Sequence, residues 1–340
     1  MRGVKNPPLP GEGDPDSLAS WRARYMAWLA ERNFSPETVE SRGRDLYAFI
    51  VWCAERGLAE PREITRPILE RYQRHLYHWR KADGRPLSFP TQGGRLARIG
   101  GFFRWLAREN HILSNPASEL ELPKLERRLP AMTLTAEEAE AVMAVPDLTD
   151  PVGLRDRAIL EVFYATAIRR TELTRIGLYD VDYARQVIMV RQGKGKKDRV
   201  VPLGERARAW LEAWRDQARP KLVAGRDPGL LFLSAAGTPM APKKLSDRIS
   251  GYIERSGVGK PGSCHLLRHT AATLMLEGGA DIRFIQAMLG HESLETTQIY
   301  AQVAITKLAE IHAATHPGAK LASARAVLDA ILEAEAETEA

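Results

Sequence analysis

The stretch LELPKLERRLPA, residues 120–131, limits what this chain can fold into more than any other. Pro123 and Pro130 interrupt it, and its apolar residues keep neither the 3.6-residue period of a helix nor the alternation of a strand. It reads as a linker, and a chain of 340 residues is long enough for a domain on either side. Five segments follow from that division. Residues 1–15 form a Pro/Gly-rich N-terminus whose composition predicts disorder. Residues 16–118 form a helical domain, 119–131 the linker, 132–318 a second domain and 319–340 an acidic helical extension.

The first domain is marked out by helix signals. SLASWRARYMAWLAERN carries Trp21, Tyr25, Trp28 and Leu29 at helical spacing. Ser35 followed by Pro36 gives an N-cap and a first helical position, opening a second helix that closes on Gly57. Thr65 with Pro67 starts a third helix running to about Trp79, and a fourth spans roughly Thr91 to Glu109. Arg42, Arg44, Arg71, Arg74, Arg95, Arg98 and Arg104 recur on the polar faces. Any one of them is equally well an ordinary solvated side chain. Seven with few compensating acids suggest a phosphate-facing surface.

In the second domain Thr135-Ala-Glu-Glu138 is a capping box that starts a helix. The domain is mainly helical, interrupted by QVIMVRQGKGKKDRVVPL, two β-rich runs around a Gly/Lys turn. The expected fold class is therefore mainly α with a small β-hairpin or sheet. In the last segment, ASARAVLDAILEAEAE places Val327, Leu328, Ile331 and Leu332 on one stripe of a helix.

Composition removes several classes of function. The two cysteines, Cys53 and Cys264, stand far apart in no CxxC pattern, which fits a reducing compartment and gives no disulfide framework. The first residues, MRGVKNPPLPGEGDPD, lack the apolar core of a secretory signal. No apolar run approaches the ~20 residues a membrane helix needs. A cytoplasmic protein with no membrane partner is expected. The net charge of +6 favours a polyanionic partner only weakly, but its distribution says more. Residues 1–130 are basic and residues 319–340 acidic, which points to nucleic acid at one end and something else at the other.

Four stretches of the second domain place reactive groups. YATAIRRTEL brings Arg169 and Arg170, QGKGKKDR brings Lys194, Lys196 and Lys197, CHLLRHTAATLM brings His265, Arg268 and His269, and LGHESLETTQIY brings His291 and Tyr300. His265 and His269 have the i, i+4 spacing of a metal pair, with His291 as a possible third ligand. HLLRH lacks the glutamate of HExxH, however, and puts a cation between the two histidines. A metal-assisted phosphoryl reaction also needs clustered carboxylates, which these stretches lack. Phosphate chemistry without metal or other cofactor fits better. Arginine is always ionised, and its planar fork matches phosphate oxygens. Two arginines can hold the non-bridging oxygens and stabilise a pentacoordinate transition state. A tyrosine hydroxyl with a pKa of ~10 becomes a nucleophile when a histidine and an arginine field assist it. A lysine can protonate the departing oxygen.

These stretches, with KLAEIHAATHPGA, resemble the tyrosine recombinases of the phage-integrase family, closest to the Xer type. The resemblance runs from about Trp21 to Pro317, and order and spacing agree, with Tyr300 nine residues after His291. It implies a two-domain C-shaped clamp, a helical core-binding domain and a catalytic domain closing on a duplex. Arg169 matches the family's first arginine. Lys194 matches the hairpin lysine that acts as general acid toward the leaving 5′-oxygen. His265 and Arg268 match the HxxR pair, His291 the second histidine, and Tyr300 the nucleophile that forms a 3′-phosphotyrosyl link. His269 stands where the family usually has a histidine with a mainly structural role. Arg170 stands where a small or apolar residue is commoner and receives no function. Ala167-Ile168 departs from the usual Gly-Leu before the arginine.

The activity implied is site-specific recombination of double-stranded DNA at a short inverted repeat, through a four-way junction, by a homotetramer or a heterotetramer with a second recombinase. Dimer resolution of chromosomes or plasmids and the integration or excision of mobile elements both fit. Exchange of a phosphodiester for a phosphotyrosyl ester conserves bond energy, so no ATP is needed. Three other readings stay open on the residues alone. They are a non-catalytic DNA-binding protein on the same fold, strand breakage and rejoining of the type IB topoisomerase kind, and a metal-dependent hydrolase using His265, His269 and His291. The acidic extension goes beyond the usual end of the Xer pattern and is expected to regulate the protein or bind a partner.

Overall fold

The structure is a computed structural model and describes residues 7–125, 133–191 and 198–290. The chain divides into two compact units, Met1–Arg127 and Arg128–Ala340.

Among the described residues the first unit has four α-helices, α1 (Leu18–Glu31), α2 (Pro36–Ala54), α3 (Arg66–His78) and α4 (Phe89–Arg108). Local chemistry starts them. The Ser17 hydroxyl accepts from the Ser20 amide at 3.2 Å, and the Ser35 hydroxyl accepts from the Thr38 amide at 3.2 Å. Each satisfies an amide that has no partner inside its helix. Pro36, Pro67 and Pro90 occupy first-turn positions of α2, α3 and α4, where a missing N–H costs nothing. Because Pro90 belongs to the first turn, α4 begins at Phe89, ahead of the expected Thr91. The apolar stripes meet in one core that includes Tyr25, Leu29, Phe49, Tyr72, Phe102 and Phe103.

Two expectations for this unit change. Disorder over residues 1–15 is corrected for the described part. Leu9 is 4% exposed and joins the helical core, and the Tyr47 hydroxyl donates to the Pro7 carbonyl at 3.1 Å. One buried leucine and a few turn hydrogen bonds hold a segment whose composition alone suggests no order. The seven arginines also divide. Arg42 donates to the Tyr25 hydroxyl at 2.8 Å, and Arg95 and Arg98 both pair with Asp45, which is 5% exposed. Arg44, Arg71, Arg74 and Arg104 are exposed. Arg44, Asp45, Pro90, Thr91, Arg95 and Arg98 line a polar cleft of about 440 Å³.

The second unit is built around α6 (Pro151–Thr166), which packs against α5 (Ala136–Met143), α8 (Glu205–Ala213) and α11 (Cys264–Glu277). The capping box at Thr135 and Glu138 is present, and Lys260 donates to Glu138 from across the unit. The other α-helices among the described residues are α7 (Arg170–Leu173), α9 (Arg219–Leu222), α10 (Pro242–Arg255) and α12 (Ile282–Leu289). The expected hairpin is present as β2 (Val187–Val190) and β3 (Arg199–Pro202), antiparallel, with Ile188 opposite Val201 and Val190 opposite Arg199. A short strand, β1 (Val181–Asp182), adds to β2 and completes a three-stranded sheet. The sheet alternates as a one-sided sheet should. Ile188, Val190 and Val201 enter the core, while Met189 and Val200 face out opposite each other.

A buried polar cluster fastens α6 to α10. Arg155 is 1% exposed and Asp156 2%. Asp156 accepts from Arg155 Nε at 2.8 Å, Arg248 Nη1 at 2.8 Å and the Tyr252 hydroxyl at 2.6 Å. Arg155 Nη1 donates to the Leu233 carbonyl at 2.7 Å. Removing one partner of such a pair leaves a charge in the core without its counter-ion. Asp156→Ala should therefore cost about 3–5 kcal/mol of stability. Tyr252→Phe, which removes one donor, should cost about 1 kcal/mol. Urea denaturation gives both values from the midpoint at unchanged slope. Equal losses for the two variants would show that the cluster is not organised around Asp156.

Candidate active site

The site begins where α6 stops. Ala167 takes a left-handed backbone, φ 48° and ψ 26°, and its amide donates to the Phe163 carbonyl at 2.9 Å. This is the position where the resembled family usually has glycine, and an alanine there costs about 1 kcal/mol. The reversal buries Ile168 and puts Arg169 at the N-cap of α7. Glu172 completes that cap. Its carboxylate accepts from the Arg169 amide at 2.8 Å and from Arg169 Nη1 at 2.9 Å.

Three arginines from three elements converge on the end of α12. Arg169 Nη2 donates to the Gly290 carbonyl at 3.0 Å, Arg268 Nη2 to the Leu289 carbonyl at 2.9 Å, and Arg199 Nε to the Met288 carbonyl at 2.9 Å. The last carbonyls of a helix lack intrahelical partners and carry the negative end of its dipole, so guanidinium donors suit them. Gly290 closes α12 at φ 63°, a conformation favourable for glycine. A Cβ there would come within 3.1 Å of the Arg199 guanidinium. Arg268 is 5% exposed and also donates from Nη1 to the Ala167 carbonyl. One guanidinium thus ties the turn after α6 to the turn after α12.

Electrostatics divide the ionisable groups. Burial alone would raise the Glu172 pKa. Hydrogen bonds from Arg199 and the Arg169 amide, with the charges of both arginines, outweigh it and hold the carboxyl below the usual carboxylate range. His265 moves the other way from a cation's interest. Burial first, then the charges of Arg170, Arg268 and Arg169, push its imidazole below the ordinary value, so it is neutral at neutral pH. His269 is lowered by burial and by His265 and Arg268.

Of the six expected site residues, Arg169, His265 and Arg268 are brought into one electrostatic group on the second unit. Lys194, His291 and Tyr300 lie outside the described residues. So do Lys196 and Lys197, the segment from 291 onward with its acidic extension, and part of the linker, residues 126–131. His265 and His269 do share α11. Among the described residues no group of three or more His, Cys, Asp or Glu side chains is placed to hold a metal ion. No helix among them is long and apolar enough to cross a membrane.

Two residues the sequence did not single out, Glu172 and Arg199, belong to this framework, as does Arg170, to which it assigned no function. Glu172 stands three residues after Arg169, the capping-box spacing, and that signal was available. Arg170 donates to the Ser246 hydroxyl at 2.8 Å, which lies 3.7 Å from Cys264 Sγ, so it links α7 to α10 and the start of α11. Arg199 pairs with Glu172 across 27 residues, and no local pattern announces it.

Residues 132–307 match the phage integrase family. The chain is 50% identical over 300 residues to tyrosine recombinase XerC 2 of Ralstonia nicotianae, spanning 88% of this chain and 86% of that protein. It is 39% identical over 291 residues to tyrosine recombinase XerD of Pseudomonas putida, spanning 85% and 94%. In fold it is similar to the XerH site-specific recombinase bound to difH substrate in a pre-cleavage complex, with a TM-score of 0.67 at 18% identity over 91% of this chain and 98% of that one. The chain belongs to the phage integrase family and is a tyrosine recombinase of the Xer type.

Proposed function

We propose that this recombinase cuts and rejoins double-stranded DNA at a short inverted-repeat site, through a 3′-phosphotyrosyl bond to Tyr300. The observation that carries this reading is the convergence of Arg169 and Arg268 on the Leu289–Gly290 turn, with neutral His265 in the same field. Two preorganised guanidinium forks are what a phosphodiester needs as charge builds on its non-bridging oxygens. The Tyr300 oxygen attacks phosphorus and its proton leaves to a neutral imidazole. The bond from phosphorus to the 5′-oxygen breaks, and Lys194 supplies that oxygen with a proton. Attack by a 5′-hydroxyl on the tyrosyl ester reverses the sequence and rejoins a strand. Arg169, His265, Arg268 and His291 bind and stabilise the phosphoryl group throughout.

Recombination by this route takes two duplexes and four protomers, one strand pair at a time, in the cytoplasm. The first unit supports a duplex partner. Arg44, Arg71, Arg74 and Arg104 present exposed positive charge, while Arg95 and Arg98, in the cleft beside Arg44, are paired with Asp45.

Adduct capture tests the nucleophile. Tagged protein is expressed in its source cell, denatured and pulled down, and attached DNA is sequenced. Wild type should enrich one short inverted repeat, and Tyr300→Phe should bind DNA and enrich none. An adduct from Tyr300→Phe would remove Tyr300 from its role, and DNA binding with no adduct from either protein would favour a non-catalytic DNA-binding protein. Lys194→Ala tests the general acid. It should slow cleavage by roughly 10²–10⁴-fold. A 5′-bridging sulfur, a better leaving group, should restore most of the loss, and absence of that rescue would remove Lys194 from proton transfer.

A further inference from the structure

We infer that Arg199 is a positioning residue of this reaction, holding Arg169 and the turn that leads into His291 in register; the inference rests on the reading of the site above. The geometry is a closed ring of hydrogen bonds. Arg199 Nη1 and Nη2 donate to the two oxygens of Glu172 at 3.0 and 2.8 Å. The same two oxygens accept from Arg169 Nη1 and the Arg169 amide at 2.9 and 2.8 Å. Arg169 Nη2 reaches the Gly290 carbonyl at 3.0 Å, and Arg199 Nε closes the ring at the Met288 carbonyl at 2.9 Å. The partners are 27, 89 and 121 residues apart in sequence, so the ring fixes three distant elements against one another.

Arg199 works from behind the site. Its side chain is 13% exposed and that of Glu172 5%, and its donors are directed at a carboxylate and a carbonyl of the protein itself. Without it, the carboxylate that holds Arg169 would itself be held only by Arg169, through its amide and side chain. The fork removes that freedom because two parallel N–H groups set the carboxylate plane as well as its position. Lysine cannot do this, since an ammonium is a point charge on a flexible stem. The bare edge of Gly290 is part of the same device, because a Cβ would meet Nε, Cζ and Nη1 of Arg199 at 3.1 Å. Arg199 is also the first residue of β3, opposite Val190, at the base of the hairpin whose connecting residues include Lys194. One side chain therefore touches the supports of Arg169 and of the segment entering His291, and its backbone anchors the strand after Lys194.

The test uses full-length protein and a nicked duplex carrying the inverted repeat recovered by adduct capture, so that cleavage traps the tyrosyl adduct. Arg199→Lys should slow adduct formation about 10–100-fold, the loss expected from sub-ångström misplacement of a catalytic group. DNA affinity and its salt dependence should stay within twofold. Gly290→Ala displaces the guanidinium without removing it and should slow adduct formation similarly. The decisive reading is a double-variant cycle. If Arg199 acts through Arg169, Arg169→Lys with Arg199→Lys should be no slower than Arg169→Lys alone. Multiplying losses, or an Arg199→Lys protein as fast as wild type, would overturn the positioning role while leaving the proposed reaction intact. No adduct from wild type would overturn both.

Discussion

The second unit depends on keeping one buried carboxylate ionised. Glu172 lies between Arg169 and Arg199; burial would raise its pKa, and hydrogen bonds from Arg199 and the Arg169 amide, with the charges of both guanidinium groups, lower it. If it took up a proton, Arg199 and Arg169 would each lose an anionic acceptor. The effect would reach beyond that pair, because both arginines also fasten the end of α12. Each of these bonds joins residues far apart in the chain, so local helix formation cannot complete the site. The elements must dock first, and docking is what brings the donors to their acceptors.

Much of this was legible in the sequence, and the reasons differ by residue. Ser17, Ser35 and Thr135 announce helix starts because capping is decided within three residues. The β2–β3 hairpin is legible because alternation and a Gly/Lys turn are local patterns. Arg169, His265 and Arg268 stood out through residue type and spacing, and packing gathers them. Three features were hidden for one physical reason, that long-range contacts override local cues. Leu9 is buried by helices it does not adjoin in sequence. Asp45 draws in Arg95 and Arg98, so part of an apparently free basic face is committed internally. Arg199 looks like one more cation in a Lys/Arg-rich turn until its partner, Glu172, is placed beside it.

Burial and the charge pattern of the site act in one direction on its histidine, lowering the His265 pKa. Burial is the first cause, and the charges of Arg170, Arg268 and Arg169 add to it, while the Glu172 carboxylate is taken up by Arg169 and Arg199. Burial and a positive surrounding both penalise a further positive charge on the imidazole. The same surrounding favours an oxyanion. In the proposed reaction, proton acceptor and anion stabiliser would thus share one field.

The carbonyls at the end of α12 have one more consequence. A surface arginine keeps many rotamers, and fixing one on a ligand costs about 0.5–1.5 kcal/mol in entropy. Arg169 and Arg268 have already lost that freedom, because the peptide oxygens of Gly290 and Leu289 ordered them as the chain folded. A phosphodiester would therefore meet two side chains that no longer need to be immobilised. If these arginines bind phosphate as proposed, the helix end serves as a template that casts their shape before any substrate is present.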